Sequence, residues 1–467
     1  MITPITLIKG DKNGSDTDYR DYLPVNMYGV QKPVLGAAGY MLQAPGLTQY
    51  GNGVSVDRGG IWNDRLKDHY RVSGTSLISV DSAGVSTVLG TIAGADTVSL
   101  PYSFDTQGIV ANGRFYLYSP SGGFSEVTDP ELGNPIDCVW VDGYYFFTDG
   151  EFIYHTDLGN ESSIDPLKYA TAEFMPDDSL GVDKTSDNKV MVFGRYTIEY
   201  FVNDASDNFS FVRVQSRALK TGIVGTHCKT EIKGQHFILG GSKEEHISIH
   251  SVSVGRVVSI ASREVDKVIS QYTEDQLSTS VLESIEIDGV SLLVVHLPNE
   301  CLVCNISLLS SQGSELSWSI FVSDVNRMPW RAKHILFEPR KGKFVSGDKS
   351  GSALAVIDNS TALHFGAIAE WELYTPYIYL EDQSIDKLEI ETIPGFNDAG
   401  DATVFVSLTY DGVTHGQEWT QIYGTPNAYG SRFILYRLGY VNSWFAFKLR
   451  GASRSRMAFG RGYIEHG

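Results

Sequence analysis

Residues 139–158 read VWVDGYYFFTDGEFIYHTDL, and this stretch leaves few options for the chain around it. Apolar and aromatic runs at 139–141, 144–147 and 152–154 are separated by Asp142-Gly143 and Asp149-Gly150. An Asp-Gly pair supplies the positive φ values of a tight two-residue turn, so each pair predicts a reversal between antiparallel strands. A three-stranded meander results. Its sides are not divided into polar and apolar, so both faces need covering, and similar units are the natural cover. Composition agrees, because 47 Gly with 25 Tyr and 22 Phe favours strands and turns. No helical-period stretch runs beyond about three turns. The expected class is all-β.

The same signature recurs along the chain. Candidate strands begin near Tyr70, Phe115, Tyr144, Val190, His236, Leu292 and Lys343, at intervals averaging about 45 residues, the length of a four-stranded propeller blade. A β-propeller of six or seven blades over residues 55–365 follows, closed into a ring because no blade can bury both faces alone. The interval from Phe115 to Tyr144 is short for a blade, and a large double sandwich is the competing architecture. Ahead of the propeller, Pro4, Pro24, Pro33 and Pro45 punctuate an extended N-terminal arm over residues 1–54. Residues 262–284 break the β rhythm. There Val265, Val268 and Ile269 share a helical face, as do Leu277 and Val281, and Thr273 with Gln276 makes a capping-box pattern. Two short helices are expected in this insertion. Segments at 371–380, 387–390, 403–410, 433–438 and 444–449 predict a separate C-terminal β-sandwich over 366–467.

Charge and motif content narrow the function. Lys and Arg total 37 against 56 Asp and Glu, a net charge of −19. That argues against a dedicated grip on nucleic acid, while allowing DNA to slide past a repelling wall. The sequence has neither the basic start and apolar core of a signal peptide nor a membrane-length apolar run. The expectation is a soluble protein made in the cytoplasm, with no membrane insertion. Cys301 and Cys304 sit in a predicted strand, where residues three apart face opposite ways, and no second pair lies at zinc spacing. His246 and His250 would share a strand face about 13 Å apart, too far for one metal ion. The adjacent acids Asp177-Asp178 and Glu244-Glu245 do not define a catalytic pair, and phosphate-loop, nucleophile-elbow and zinc-protease motifs are missing. No catalytic residue, cofactor or metal site is nominated. Two basic clusters stand out against the acidic whole. One holds Arg327, Arg331, Lys333, Arg340, Lys341 and Lys343; the other holds Lys448, Arg450, Arg454, Arg456 and Arg461. Arg327, Arg331, Lys333, Arg450, Arg454 and Arg456 are the candidates for docking an acidic partner. Strand-edge charge that deters aggregation is the other reading.

Several stretches, taken in order, carry a resemblance. They are DYLPVNM at 21–27, TIEYF at 197–201, TGIVGTHCKT at 221–230, YTEDQLSTSVLES at 272–284, LLVVHLP at 292–298, GDKS at 347–350 and FKLR at 447–450. Together they resemble the packaged-DNA stabilisation protein, or tail hub, of short-tailed bacteriophages. Residues 241–260 and 395–430 carry no stretch that contributes to this resemblance. The resemblance implies a hexameric ring in the virion tail, below the portal and its adaptor ring. It further implies tailspikes at the sides, a needle or plug at the tip, and DNA passing through without sequence-specific binding. It implies no catalysis and no cofactor. Asp21, Tyr22, Leu23, Pro24, Val25, Asn26 and Met27 are the expected assembly strap, between subunits or between domains, because a proline-containing extended arm has little core of its own. The other reading folds this arm onto its own propeller. A propeller that binds or cleaves glycan is the alternative function, and it calls for a pocket with convergent carboxylates of shifted pKa.

Overall fold

Asp142 and Gly143 take φ values of 50° and 92°, the two positive dihedrals of a primed hairpin turn, and reverse Asp137–Val141 into Tyr144–Thr148. At the second pair only Gly150 is left-handed, at φ 107°. Asp149 instead accepts hydrogen bonds from the Glu151 and Phe152 amides at 3.1 and 2.7 Å. This reversal is therefore a longer side-chain-braced loop, not the tight turn expected. Ile153–His155 follows, and a fourth strand, Tyr169–Ala170, completes the sheet. Every residue of Tyr144–Thr148 is buried. Tyr145 and Phe147 meet Phe115 of the preceding sheet at ring distances of 5.1 and 4.9 Å. Tyr144 and Phe146 meet Phe211 of the following sheet at 5.8 and 5.0 Å. Alternate side chains serve two neighbours, which is why the period of two is hidden behind an unbroken aromatic run.

The computed structural model describes residues 1–5, 23–32, 39–172, 174–206, 209–214, 217–312, 317–393, 402–424 and 432–467. Seven antiparallel sheets follow one another within 57–91, 99–126, 137–170, 179–213, 222–259, 281–320 and 332–358. Apolar clusters fill the gap between each sheet and the next. The second sheet has three full strands, and its inner segment joins only through the bridges Ser99↔Val110 and Tyr102↔Gln107. Six of the seven strand markers read from the sequence fall in the second strand of a blade, from Tyr70 in Asp68–Ser73 to Lys343 in Lys343–Asp348, while Phe115 falls in the third, Arg114–Ser119. The ring closes through the N-terminal region. Gly46–Asn52 pairs antiparallel with Ala353–Asp358 as the last blade's fourth strand. Across this seam Ile78 and Val80 pack on Leu354. Asp57 also receives Arg71 at 2.8 Å and His334 at 2.7 Å, while Arg71 donates to the His334 carbonyl at 2.7 Å.

The insertion holds Arg263–Ile269, capped by Ser262, and Glu274–Leu277, whose Thr273/Gln276 capping box is made in both directions. Val281 is not on a helical face; it opens the strand Val281–Ile287. A further helix, Ile306–Gln312, interrupts the sixth blade after Asn305, whose side-chain oxygen accepts the Ser307 amide at 2.9 Å. Helix is therefore not confined to one insertion.

The C-terminal region is a β-sandwich. One sheet orders Glu370–Tyr374, Trp444–Ala452, Thr403–Thr409 and His415–Ile422. The other orders Met27–Val30, Tyr40–Gln43, Ala458–His466, Gln383–Thr392 and Phe433–Val441, with Ile2–Ile5 also paired to Ala458–His466. Trp371, Phe447 and Phe459 lie between them with Met27. The described part of the arm is thus not an independent extended unit. Its first strands complete the sandwich and its last completes the propeller.

Candidate assembly site at the domain junction

Leu23 to Met27 run between the two domains. Leu23 is buried among propeller side chains and Met27 among those of the sandwich. Between them the backbone alternates partners. Ile320 of the sixth blade donates to the Pro24 carbonyl and accepts from Asn26, both at 2.8 Å, while Val25 and Glu372 of the sandwich exchange two bonds at 2.9 and 3.0 Å. Asn26 adopts φ 49°, a left-handed conformation that Asn tolerates better than most residues. Its side chain is 1% exposed and fully used. It accepts from the Val322 amide at 2.9 Å and donates to the Val322 and Glu370 carbonyls at 3.0 and 2.7 Å. Asp21 and Tyr22 lie outside the described residues.

Most members of the basic clusters are engaged within the chain. Arg327, on a turn leaving the sixth blade, pairs with Glu370 at 3.1 Å and with the buried Glu372. Burial works against its charge, but Glu372 and then Glu370 hold its pKa above the ordinary guanidinium value. Lys448 reaches Glu372 at 2.6 Å, and Arg450 grips both oxygens of Glu418 at 2.7 and 2.9 Å. Arg331 pairs with Asp348 and lies over the Phe365 ring at 4.1 Å. Arg456 is buried. Its guanidinium binds the Gln43 carbonyl at 2.8 Å, Asp288 at 3.0 Å and the Tyr28 hydroxyl at 2.9 Å. It is a strut joining arm, propeller and sandwich, not a docking residue. Arg454 is exposed, and Lys333 lines the propeller axis. The expectation of two surface clusters thus changes in character, because sequence shows where cations lie but not which distant carboxylates they meet.

The inner strands surround an axial cavity with two lobes. One, of about 630 Å³, is lined by Trp140, Asp183, Lys184, Lys229, Glu283 and His334. The other, of about 590 Å³, is lined by Arg58, His227, His296, Lys333 and Lys349. The carboxylates here are engaged. Asp137 accepts from Lys229 at 2.7 Å and from Ser99 at 2.5 Å. Burial disfavours ionised Asp183, but the His236 imidazole 3.5 Å away and the charge of Lys229 outweigh this and lower its pKa. Glu283 behaves likewise through His296, 3.1 Å away. Burial takes the His227 imidazole down to about 4, so it is neutral at physiological pH. Asp183 and Glu283 are therefore held as anions, without the raised pKa of a general acid. Cys301 and Cys304 fall on opposite sides of the sixth blade, in two different apolar clusters, and burial pushes both thiols up.

Sequence reasoning missed an aromatic surface on the sandwich. Tyr436, Tyr440, Ile422, Val413 and Tyr410 are 64, 61, 57, 50 and 46% exposed. They sit on or beside the edge strands Phe433–Val441 and His415–Ile422, and the Tyr410 hydroxyl donates to the Tyr440 carbonyl at 3.1 Å. Solvent-facing aromatics in alternating edge strands were the available signal, hidden because His415–Ile422 carries so few apolar residues.

Comparison with known proteins places these features. The family described as bacteriophage P22 Gp10, beta-propeller, matches residues 3–362, and that described as bacteriophage P22 Gp10, beta-sandwich, matches residues 370–467. The chain is 29% identical over 474 residues to the tail hub protein gp10 of Salmonella phage P22, covering 97% of each. Among solved structures, streptogramin B lyase superposes with a TM-score of 0.43 at 11% identity, over 66% of this chain and 97% of that one. The Neurospora crassa Pan2 WD40 domain gives 0.43 at 8% identity, over 68% and 97%.

Proposed function

Since the chain belongs to the bacteriophage P22 Gp10 family of tail hub proteins, we propose that it forms a closed, hexameric ring beneath the portal and its adaptor ring and retains packaged DNA until ejection. The observation that carries this reading is the match across propeller and sandwich together, 97% of both chains. The ring carries tailspikes at its sides and a needle or plug at its tip, as part of the virion tail. Retention is mechanical: internal pressure is resisted by interface strength, and the subunit must transmit load without hinging. Support comes from the junction, where strap, Asn26 and the Arg327–Glu370/Glu372 pairs join the domains. The exposed tyrosines of the sandwich suit a subunit or partner contact, since Tyr is favoured at interfaces, and Arg454 remains open for an acidic partner. The net charge of −19 suits a lumen that repels phosphate and lets DNA slide.

This reading takes the protein to be non-enzymatic, and the engaged Asp183 and Glu283 agree with it. Electron microscopy of the purified protein mixed with portal and adaptor ring tests the proposal. A six-fold ring seated on the adaptor, with acidic residues facing the axis, is expected. An adaptor ring left undecorated, a lumen lined by Lys and Arg, or release of reducing sugar from surface polysaccharide overturns it.

A further inference from the structure

The axial cavity holds two cations whose chemistry the hub reading does not use. Lys333 lies on Ala332–Glu338, the inner strand of the seventh blade, and Lys349 directly follows that blade's second strand, Lys343–Asp348. Both line the same lobe, of about 590 Å³, with His227 of the fifth blade and His296 of the sixth on its wall. Lys349 is anchored through the Leu297 and Pro298 carbonyls at 3.2 and 3.0 Å. Among the described residues neither lysine has a carboxylate partner. The nearby acids are already committed: Asp57 to Arg71 and His334, Glu283 to His296. Asp96 stands at the exposed rim, and Arg58 beside it is spent on the Asp96, Gly74 and Ala93 carbonyls. Partly buried cations whose neighbouring acids are bonded to other groups are costly and draw a compensating anion.

We propose that this lobe is an oxyanion site, in which a phosphate-sized ligand bridges Lys333 and Lys349 inside the propeller axis. The size and donor set fit inorganic phosphate: two lysines line one space of about 590 Å³, far larger than one water molecule, while many of the other described cations have acidic partners. Burial lowers the pKa of both lysines, offset only in part at Lys333 by the charges of Glu283 and Asp57, and the charge of Lys333 adds to the lowering at Lys349, so a bound anion favours their charged forms. The site spans blades, and its occupancy ties the seventh blade to the wall formed by the fifth and sixth.

Isothermal titration of the full-length chain with sodium phosphate, at constant ionic strength set by chloride, tests this. One site per chain is expected, weakened about tenfold or more by Lys333→Met and by Lys349→Met, and retained by Lys333→Arg. Melting curves select the variants that fold, and Lys349→Met alone decides if Lys333→Met does not. Absence of binding, or an affinity unchanged in the folded Met variants, overturns the proposal.

Discussion

Replacing Asn26 by Ala isolates what the strap contributes. The substitution removes three side-chain hydrogen bonds, two to Val322 and one to Glu370, at a position that is 1% exposed. Water cannot readily replace them. Each lost bond is worth about 1 kcal/mol net, and Ala at φ 49° adds about 1 kcal/mol of left-handed strain. The total is about 4 kcal/mol. At about 2.1 cal/mol/K per residue, the 467-residue chain has an unfolding entropy near 1 kcal/mol/K, so a molecule melting as one unit loses about 4 °C. If the sandwich melts on its own, its unfolding entropy is several times smaller. Its transition then falls several times further and separates from the propeller's. Differential scanning calorimetry reads both cases directly. Asn26→Gly, which relieves the strain but not the lost bonds, should be milder by about 1 kcal/mol. An Asn26→Ala protein melting within 1 °C of the parent, by one transition, refutes the argument that this side chain couples the domains.

Other perturbations probe the ring and its struts. Phe146→Ala empties a site that is fully buried between the third and fourth blades and should cost about 3–5 kcal/mol in urea unfolding; a loss below about 1 kcal/mol refutes the two-sided packing. Arg456→Met strips Asp288, Tyr28 and the Gln43 carbonyl of their shared donor and should cost about 3 kcal/mol by the same assay, whereas a neutral result shows the strut to be dispensable. Burial takes the imidazoles of His69, His227 and His364 down to about 4 from 6.5. As pH falls the unfolded chain therefore binds protons first, and stability present above pH 6.5 is lost progressively toward pH 4. The melting temperature should drop between pH 7.5 and 5.0, and a flat profile across that window contradicts the assignment.

What was legible in the sequence was local. Asp142-Gly143 announces its turn because both left-handed dihedrals sit in two adjacent residues, and Tyr144–Thr148 shows its double burial by lacking alternation. The blade count was nearly readable because one central strand of each blade begins near a marker of this kind, the second strand in six blades and the third, Arg114–Ser119, in the other. What stayed hidden depends on partners far along the chain. Nothing in GLTQYGN identifies Gly46–Asn52 as the closing strand of the seventh blade, since its mate is Ala353–Asp358. Arg456 looks like any member of a basic run until residues 28, 43 and 288 are brought around it. Lys333 looked like a surface charge because an inner propeller strand alternates much as an exposed one does. The helix Ile306–Gln312 escaped notice for a different reason: two turns leave too short a period to detect.

The route of residues 23–52 has a mechanical consequence. Leu23 to Met27 hydrogen-bond to the sixth blade and the sandwich, Met27–Val30 and Tyr40–Gln43 extend a sandwich sheet, and Gly46–Asn52 closes the seventh blade. Moving the sandwich away from the propeller must therefore break an antiparallel ladder or the strap bonds, since the segment between them has little slack. A ladder pulled along its strands loads its hydrogen bonds together instead of one at a time. Ring closure and domain coupling are thus one structural event, carried by one segment. A force applied to the sandwich therefore reaches the rigid ring of blades without an intervening hinge, which is the property that the proposed hub role calls for.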